Sequence, residues 1–332
     1  MPDASRPAAA APRRSPFRWL PFPLAAATLA GFAGRWHWLL DLASHFRWYW
    51  LMLALIAVAC CWRRGGPAVR CCLVVALLGN AGPLLPYWLP PTAGGVAVAA
   101  PPRPAAGESF GLIVINVLAP NPAKSAVVGY LRSRDPDFIV ALEIDAAWAE
   151  ALAGLGDRWP HRVIQPQDDN FGIALLAKRP PQEPSVREFG GGGVPSIVAT
   201  FTGASGSFTL VATHPLAPQS AGTARRRDAH LRGLADFVAA SPLPCVVAGD
   251  LNATPWSAAF RALVARTGLV DTALGRGLQG TWNARLWAPR IPIDHVLVPP
   301  GTEVLRRAVG PDVGSDHFPV EAEIRLRARG SD

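Results

Sequence analysis

Lysine is almost missing from this chain, with only Lys124 and Lys178 beside 30 arginines, a compositional bias without functional content. Acids are just as scarce before residue 107, where Asp3 and Asp41 stand against 10 arginines. From residue 107 on, 22 cations meet 22 anions, so the net charge of +8 belongs wholly to the N-terminal third. The basicity is therefore no sign of nucleic acid, and a neutral C-terminal region disfavours tight duplex binding, which depends on counterion release by many cations. Cysteine is also unhelpful as a staple. Cys60, Cys61, Cys71 and Cys72 lie in apolar runs of the N-terminal third, leaving Cys245 alone beyond it. No disulfide within the C-terminal region and no CxxC metal spacing follow from that. Cys245 opens an apolar run and reads as a buried inert thiol. Charged residues make up only 17% and half of the chain is hydrophobic, which excludes a disordered polar chain.

What the sequence does have is apolar length. Trp19–Gly34, Trp48–Trp62 and Cys71–Pro90 carry no charge. A spanning helix needs about 20 residues. The third run qualifies alone, and the first two do so by extending through flanking Trp, His and Arg at headgroup level. Three membrane spans are expected, near 18–38, 46–62 and 70–90, with two spans or a re-entrant hairpin as the alternative. A signal peptide competes for the first run, because Arg13 and Arg14 precede it. Arg6, Arg13, Arg14 and Arg18 before the first span, and Arg63, Arg64 and Arg70 after the second, place those segments in the cytoplasm. An odd number of spans then delivers the rest of the chain to the other side. The Pro/Gly/Ala stretch 91–107 reads as a tether.

From Gly111 the pattern changes to short β-branched runs broken by Gly, Pro, Asp and Asn. Strands are expected at 112–115, 138–142, 173–176, 196–201, 208–212, 245–248, 293–298 and 320–326, and helices at 123–134, 146–155, 223–239 and 256–267. Near-continuous apolar strands interleaved with helices imply an α/β layered domain over 108–328. The strand ends carry the information. They deliver Asn116, Glu143, Thr213-His214, Gly249-Asp250-Leu251-Asn252, Asp294 and Ser315-Asp316-His317. Singly each has a plain reading. Asn116 can be a turn residue, Glu143 can favour a helix start, and His214 can be an ordinary loop histidine. An Asx turn accounts for one polar side chain of Asp250 and Asn252, not both. Polar groups at the ends of several buried strands are costly unless they form a site.

In this order, Asn116, Glu143, His214, Gly249-Asp250-Leu251-Asn252, Ile293-Asp294-His295 and Ser315-Asp316-His317 resemble the endonuclease/exonuclease/phosphatase superfamily of DNase I-like, metal-dependent phosphoesterases. The resemblance covers about residues 110–326. It implies a four-layer α/β/β/α sandwich, here preceded by a bundle of about three transmembrane helices in a bacterial-type, membrane-anchored member. Many relatives have Gln at the position of Leu142 and Phe at that of Leu251. The expected metal site is Asn116, Glu143 and Asp316 holding Mg²⁺ or Mn²⁺, since oxygen donors select hard cations. His317 is the expected general base, with Asp294 holding its other ring nitrogen. By resemblance, Asp250 orients the attacking water or protonates the leaving group, Asn252 binds a phosphoryl oxygen, and His214 stabilises the transition state.

Substrate specificity is less well marked. Arg225-Arg226-Arg227 and Arg232 read as a solvated helix face, and Trp256, Trp282 and Trp287 as core or as stacking residues. The expected partners are a phosphoester, either nucleic acid or lipid headgroup, and the bilayer itself. A catalytically silent binding or signalling protein of the same fold is the alternative. The expected location is a bacterial inner membrane, with the domain on the extracytoplasmic side.

Overall fold

The computed structural model describes residues 19–63, 65–90, 108–203 and 206–327. The expected tether at 91–107 lies outside these residues, as do Arg6, Arg13, Arg14, Arg18 and Arg64.

Among the described residues, four helices form the N-terminal region: α1 (Pro21–Phe32), α2 (Trp38–His45), α3 (Arg47–Cys61) and α4 (Pro67–Trp88). Leu24 of α1, Ala54 and Ala57 of α3, and Leu73 and Ala76 of α4 make their common core. Small side chains at these contacts let the helices approach closely. Pro83 has no N–H to give the carbonyl of Gly79 one turn back, and Arg47 Nη1 donates to that oxygen instead at 2.9 Å. Of the three expected spans only the third, α4, is a single helix long and apolar enough to cross a bilayer. α2 and α3 pass that test only together and are bent by 66° at their junction, while α1 has 12 residues. The unforeseen element is α2, which starts where His37 Nδ1 accepts from the Leu39 amide and carries the acid Asp41.

The C-terminal domain has two six-stranded mixed sheets. The first joins β1 (Ser109–Asn116), β2 (Phe138–Leu142), β3 (His161–Gln165), β4 (Ile173–Ala177), β11 (Glu303–Val309) and β12 (Val320–Arg325) in the order β11-β12-β1-β2-β4-β3. The second joins β5 (Gln182–Arg187), β6 (Ser196–Gly203), β7 (Gly206–Thr213), β8 (Cys245–Asp250), β9 (Val270–Asp271) and β10 (Asp294–Val298) in the order β5-β6-β7-β8-β10-β9. β1–β2 and β7–β8 are parallel, and every other pair is antiparallel. All eight expected strands are present. The four that sequence reading missed, β3, β5, β9 and β11, are the four sheet edges. β3, β5 and β11 bury less and carry more polar residues, so they lack the apolar run that marks a central strand, and β9 is buried but only two residues long.

Phe110, Phe138, Phe201 and Phe208 pack face to face and edge to face between the sheets. Outside the first sheet lie α5 (Lys124–Arg134) and α6 (Ala146–Ala153), buried through Leu131, Trp148 and Leu152. Outside the second lie α7 (Ala221–Ala240) and α8 (Ala258–Thr267), buried through Leu231, Leu234 and Leu263. That is the expected α/β/β/α layering. The helical region is not a free appendage to it. Gly275 and Gly277 amides donate to the carbonyls of Pro86 and Tyr87, and Tyr87 meets Trp256 edge-on at 5.9 Å.

Candidate active site

Six chain segments bring the polar strand ends together. β1 ends in Asn116, whose Nδ2 donates to Glu143 Oε1 at 2.8 Å, while its Oδ1 accepts from the Leu118 amide. Glu143 follows β2 in a left-handed conformation (φ 62°), which turns its carboxylate back over β1. Its Oε2 has only a long contact of 3.4 Å from the Ala119 amide. The third segment is tied directly to the first: Ser315 Oγ donates to the carbonyl of Asn116 at 2.7 Å and accepts from the His317 amide at 3.0 Å. Asp316 is thereby held beside the end of β1, with Oδ2 accepting from Trp282 Nε1 at 3.2 Å and Oδ1 buried without a partner.

The second sheet supplies the rest. Asp250 ends β8 directly across from Asp294, which opens the antiparallel strand β10. Gly249 cannot carry a side chain, because a Cβ would fall 1.8 Å from the Thr213 carbonyl on neighbouring β7. This close approach of β7 and β8 sets His214 against Asp250, with Nε2 3.5 Å from Oδ2. Asp250 Oδ1 accepts from the Asn252 amide at 2.8 Å, and Asn252 adopts a φ of 47°. Asn tolerates that conformation, and its Nδ2 donates to the Pro215 carbonyl. His317 Nδ1 lies 2.9 Å from Asp294 Oδ2, and its Nε2 lies 3.7 Å from Asp250 Oδ2. Ligand atoms of Asp250, Asp294 and His317 all lie within 4.8 Å of one another.

This packing decides the charge states. Burial alone would lower the His317 imidazole, but the carboxylates of Asp294 and Asp250 outweigh it and push the group up to about 10. His214 is likewise raised, with Asp250 and Glu143 overcoming burial. Asp250 is lowered, because hydrogen bonding and charge from His214 and His317 overcome its desolvation. At neutral pH the metal-free centre thus holds an ionised Asp250 beside a protonated His317, with His214 shifted toward its charged form.

Several other residues stand where sequence reading did not put them. His295 points away from the site, as strand alternation requires of the neighbour of Asp294, and its Nε2 donates to the Ala253 carbonyl. Arg227 is not on a solvated face. It is 1% exposed, whereas Arg225, Arg226 and Arg232 are exposed as expected. Trp256 is core, Trp282 braces Asp316, and Trp287 is 90% exposed. Ser315 and Thr281 were missed as supports. Thr281 Oγ1 accepts from the Ile293 and Asp294 amides at 3.3 and 3.4 Å, and a lone threonine carries no signal of that role.

For a divalent cation, the donors present are hard oxygens with spare capacity. They include Glu143 Oε2, with its one long contact, and the partnerless Asp316 Oδ1, both in residues tied to the end of β1, and the partnerless Asp294 Oδ1 from the second sheet. A buried carboxylate oxygen without a partner is costly, and a cation offsets that cost, so the donor set fits one.

Comparison with known proteins agrees with this geometry. A family model described as the endonuclease/exonuclease/phosphatase family matches residues 113–317. Among solved structures, an endonuclease/exonuclease/phosphatase from Beutenbergia cavernae is similar at 23% identity and a TM-score of 0.54, over 66% of this chain and 72% of that one. D. rerio TDP2, complexed with single strand DNA product, has 18% identity and a TM-score of 0.54, over 66% of this chain and all (100%) of that one. A family protein from Bacteroides thetaiotaomicron has 18% identity and a TM-score of 0.54, over 66% and 98% of the two chains. No curated protein matches. With well over half of its length matched by the family model, this chain belongs to the endonuclease/exonuclease/phosphatase family.

Proposed function

We propose that the protein is a membrane-tethered, divalent-metal-dependent phosphoesterase whose cleft works close to the bilayer surface. The observation that carries this reading is the convergence of Glu143, Asp316, Asp250, Asp294, His214 and His317 from both sheets. Glu143 and Asp316 would hold Mg²⁺ or Mn²⁺, with Asn116 fixing the Glu143 carboxylate. When bound, the ion supplies charge relief on the phosphoryl and leaving oxygens.

The chain's own groups do the remainder. Ionised Asp250 orients the attacking water and takes its proton. His317, held by Asp294, presents its Nε2–H to a phosphoryl oxygen, and His214, shifted toward its charged form by Asp250 and Glu143, presents a second donor to the charge that develops. Asn252 adds a neutral donor from its side chain by exchanging the Pro215 carbonyl for a phosphoryl oxygen. Intact carboxylates and histidines argue against a silent binding protein.

The membrane reading rests on where the apolar surface lies. Leu29, Ile56, Leu55 and Leu78 are 57%, 58%, 48% and 68% exposed on α1, α3 and α4, a continuous cost in water that lipid removes. Trp48 and Trp88 meet at 5.8 Å beside the catalytic domain, where Tyr87 also docks, as aromatic residues do at headgroup level. Tyr49 of α3 hydrogen-bonds Arg290 through both its amide and its carbonyl. Arg290 shares a loop with exposed Trp287 and with Trp282, which braces Asp316. A site beside the bilayer favours a phosphoester borne on a lipid headgroup. The DNA product held by D. rerio TDP2 keeps nucleic acid in the test.

The full chain in detergent, supplied with Mg²⁺ and offered plasmid DNA, single strands, sphingomyelin and phosphoinositides, should hydrolyse a lipid substrate fastest. Preference for DNA would overturn the substrate assignment, and no Mg²⁺-dependent hydrolysis of any phosphoester would overturn the enzyme. A C-terminal reporter active only outside the cytoplasm would support an odd number of crossings.

A further inference from the structure

Two buried chains of polar contacts leave the N-terminal helices and end on consecutive carbonyls of the catalytic loop. The first starts at Asp41 of α2, which is 3% exposed. Arg227 Nη2 donates to Asp41 Oδ2 at 3.3 Å, and Arg227 Nη1 donates to the carbonyl of Asn252 at 2.8 Å. The same Asp41 carboxylate accepts from the Ala258 amide at 2.7 Å, where α8 begins just beyond the loop. The second starts at Tyr87 of α4, whose hydroxyl donates to Asp271 Oδ2 at 3.3 Å. That carboxylate oxygen lies 3.4 Å from His295 Nδ1, and His295 Nε2 donates to the carbonyl of Ala253 at 2.9 Å. Neither Asp41 nor Tyr87 belongs to the catalytic fold.

The loop these chains grip is the one that needs gripping. Asn252 sits at a φ of 47° and its amide holds Asp250 Oδ1, so a rotation there moves the carboxylate that faces both catalytic histidines. Left-handed non-glycine residues persist only where surrounding contacts over-determine them. Arg227 is also held by Asp228, Nε to Oδ1 at 2.6 Å, so removing the Asp41 charge leaves a cation that still has a partner.

We propose that Asp41 and Tyr87 are positioning residues for the Asp250–Asn252 loop, so that docking of the N-terminal helices sets the geometry of the catalytic centre. The helical region is then part of the catalytic apparatus and not only an anchor, and whatever shifts α2 or α4 on the domain shifts activity. Its kinetic consequence rests on the phosphoesterase reading; its structural consequence does not.

The test compares full-chain Asp41→Asn, Tyr87→Phe and the double variant in detergent with Mg²⁺, using a soluble chromogenic phosphodiester. Misplacing a catalytic group by about 1 Å costs up to about 100-fold. A partial loosening should therefore lower kcat about 10-fold for Asp41→Asn and about 3-fold for Tyr87→Phe, with KM within about 2-fold and the double variant near the product of the two. Hydrogen exchange at the Leu251, Asn252 and Ala253 amides should quicken in both variants, while β8 stays protected. Leu263→Ala, a buried core change outside both chains, controls for stability by lowering Tm while keeping kcat. Unchanged kcat and unchanged exchange in Asp41→Asn and Tyr87→Phe would overturn the proposal. So would a loss of kcat that Leu263→Ala reproduces at the same Tm. If the wild-type chain hydrolyses nothing, the phosphoesterase reading falls, and exchange at 251–253 alone decides the coupling.

Discussion

Asp250 and Asp294 face each other across the antiparallel β8–β10 pair, and His317 touches both carboxylates, at 3.7 and 2.9 Å. Two buried acids this close repel each other when ionised. The imidazolium of His317 helps to lower Asp250, and the carboxylates of Asp294 and Asp250 in turn keep it protonated.

That mutual dependence makes Asp294 more than a prop. Asp294→Asn keeps the shape but removes the charge nearest to the His317 proton, at 2.9 Å. Turnover should fall about 10²–10³-fold with KM little changed, because orientation and proton handling act in the transition state. Steady-state kinetics at saturating Mg²⁺ measure this, and a fall of less than about 3-fold would remove Asp294 from the mechanism.

Glu143 is tested by its oxygen donors. Glu143→Gln should cut Mg²⁺-dependent turnover at least about 10²-fold and weaken metal binding measured by calorimetry, since a neutral amide attracts the cation far less. The exposed Arg132–Asp157 pair lies away from the cleft, and Arg132→Ala should change neither quantity by more than about 2-fold.

Gly249→Ala tests the approach of β7 to β8. With the Thr213 carbonyl 1.8 Å from the new Cβ, one strand must move, at a cost of about 1–3 kcal/mol. Because His214 follows Thr213, activity should fall further than stability does. Thermal unfolding set beside kcat distinguishes the two effects, and parallel losses would contradict this account.

Acid sensitivity should trace to His230. Burial, aided by the charge of His214, lowers its imidazole to about 4, and Thr213 Oγ1 lies 2.7 Å from its Nε2. Between about pH 6.5 and 4 the unfolded chain binds a proton that the folded one refuses, so stability falls as pH drops through that window, by about 3 kcal/mol in total. His317 has the opposite sign. Raised to about 10 in metal-free protein, it contributes stability below pH 6.5 that is lost as pH rises toward 10. Denaturant titrations of wild type and His230→Gln from pH 4 to 7 in chelator isolate the first effect. Identical slopes for the two proteins would refute it.

The catalytic fold could be read from the chain because central strands are apolar on both faces, and their runs stop where a polar residue enters the cleft. That is why Asn116, Glu143, His214, Asp250, Asp294 and His317 stood out by position alone. Edge strands β3, β5 and β11 escaped because they face solvent and their composition resembles loop, and β9 because two residues make no run. The sequence by itself thus determined the layered architecture, the polar strand ends and the three apolar runs before residue 91. Only tertiary structure decided that Arg227 is buried against Asp41, that His295 turns outward to Asp271, and that α2 and α4 seat on the catalytic loop. These are pairings between residues up to 217 positions apart, and no local pattern of hydrophobicity or charge encodes which distant carboxylate a buried cation will meet.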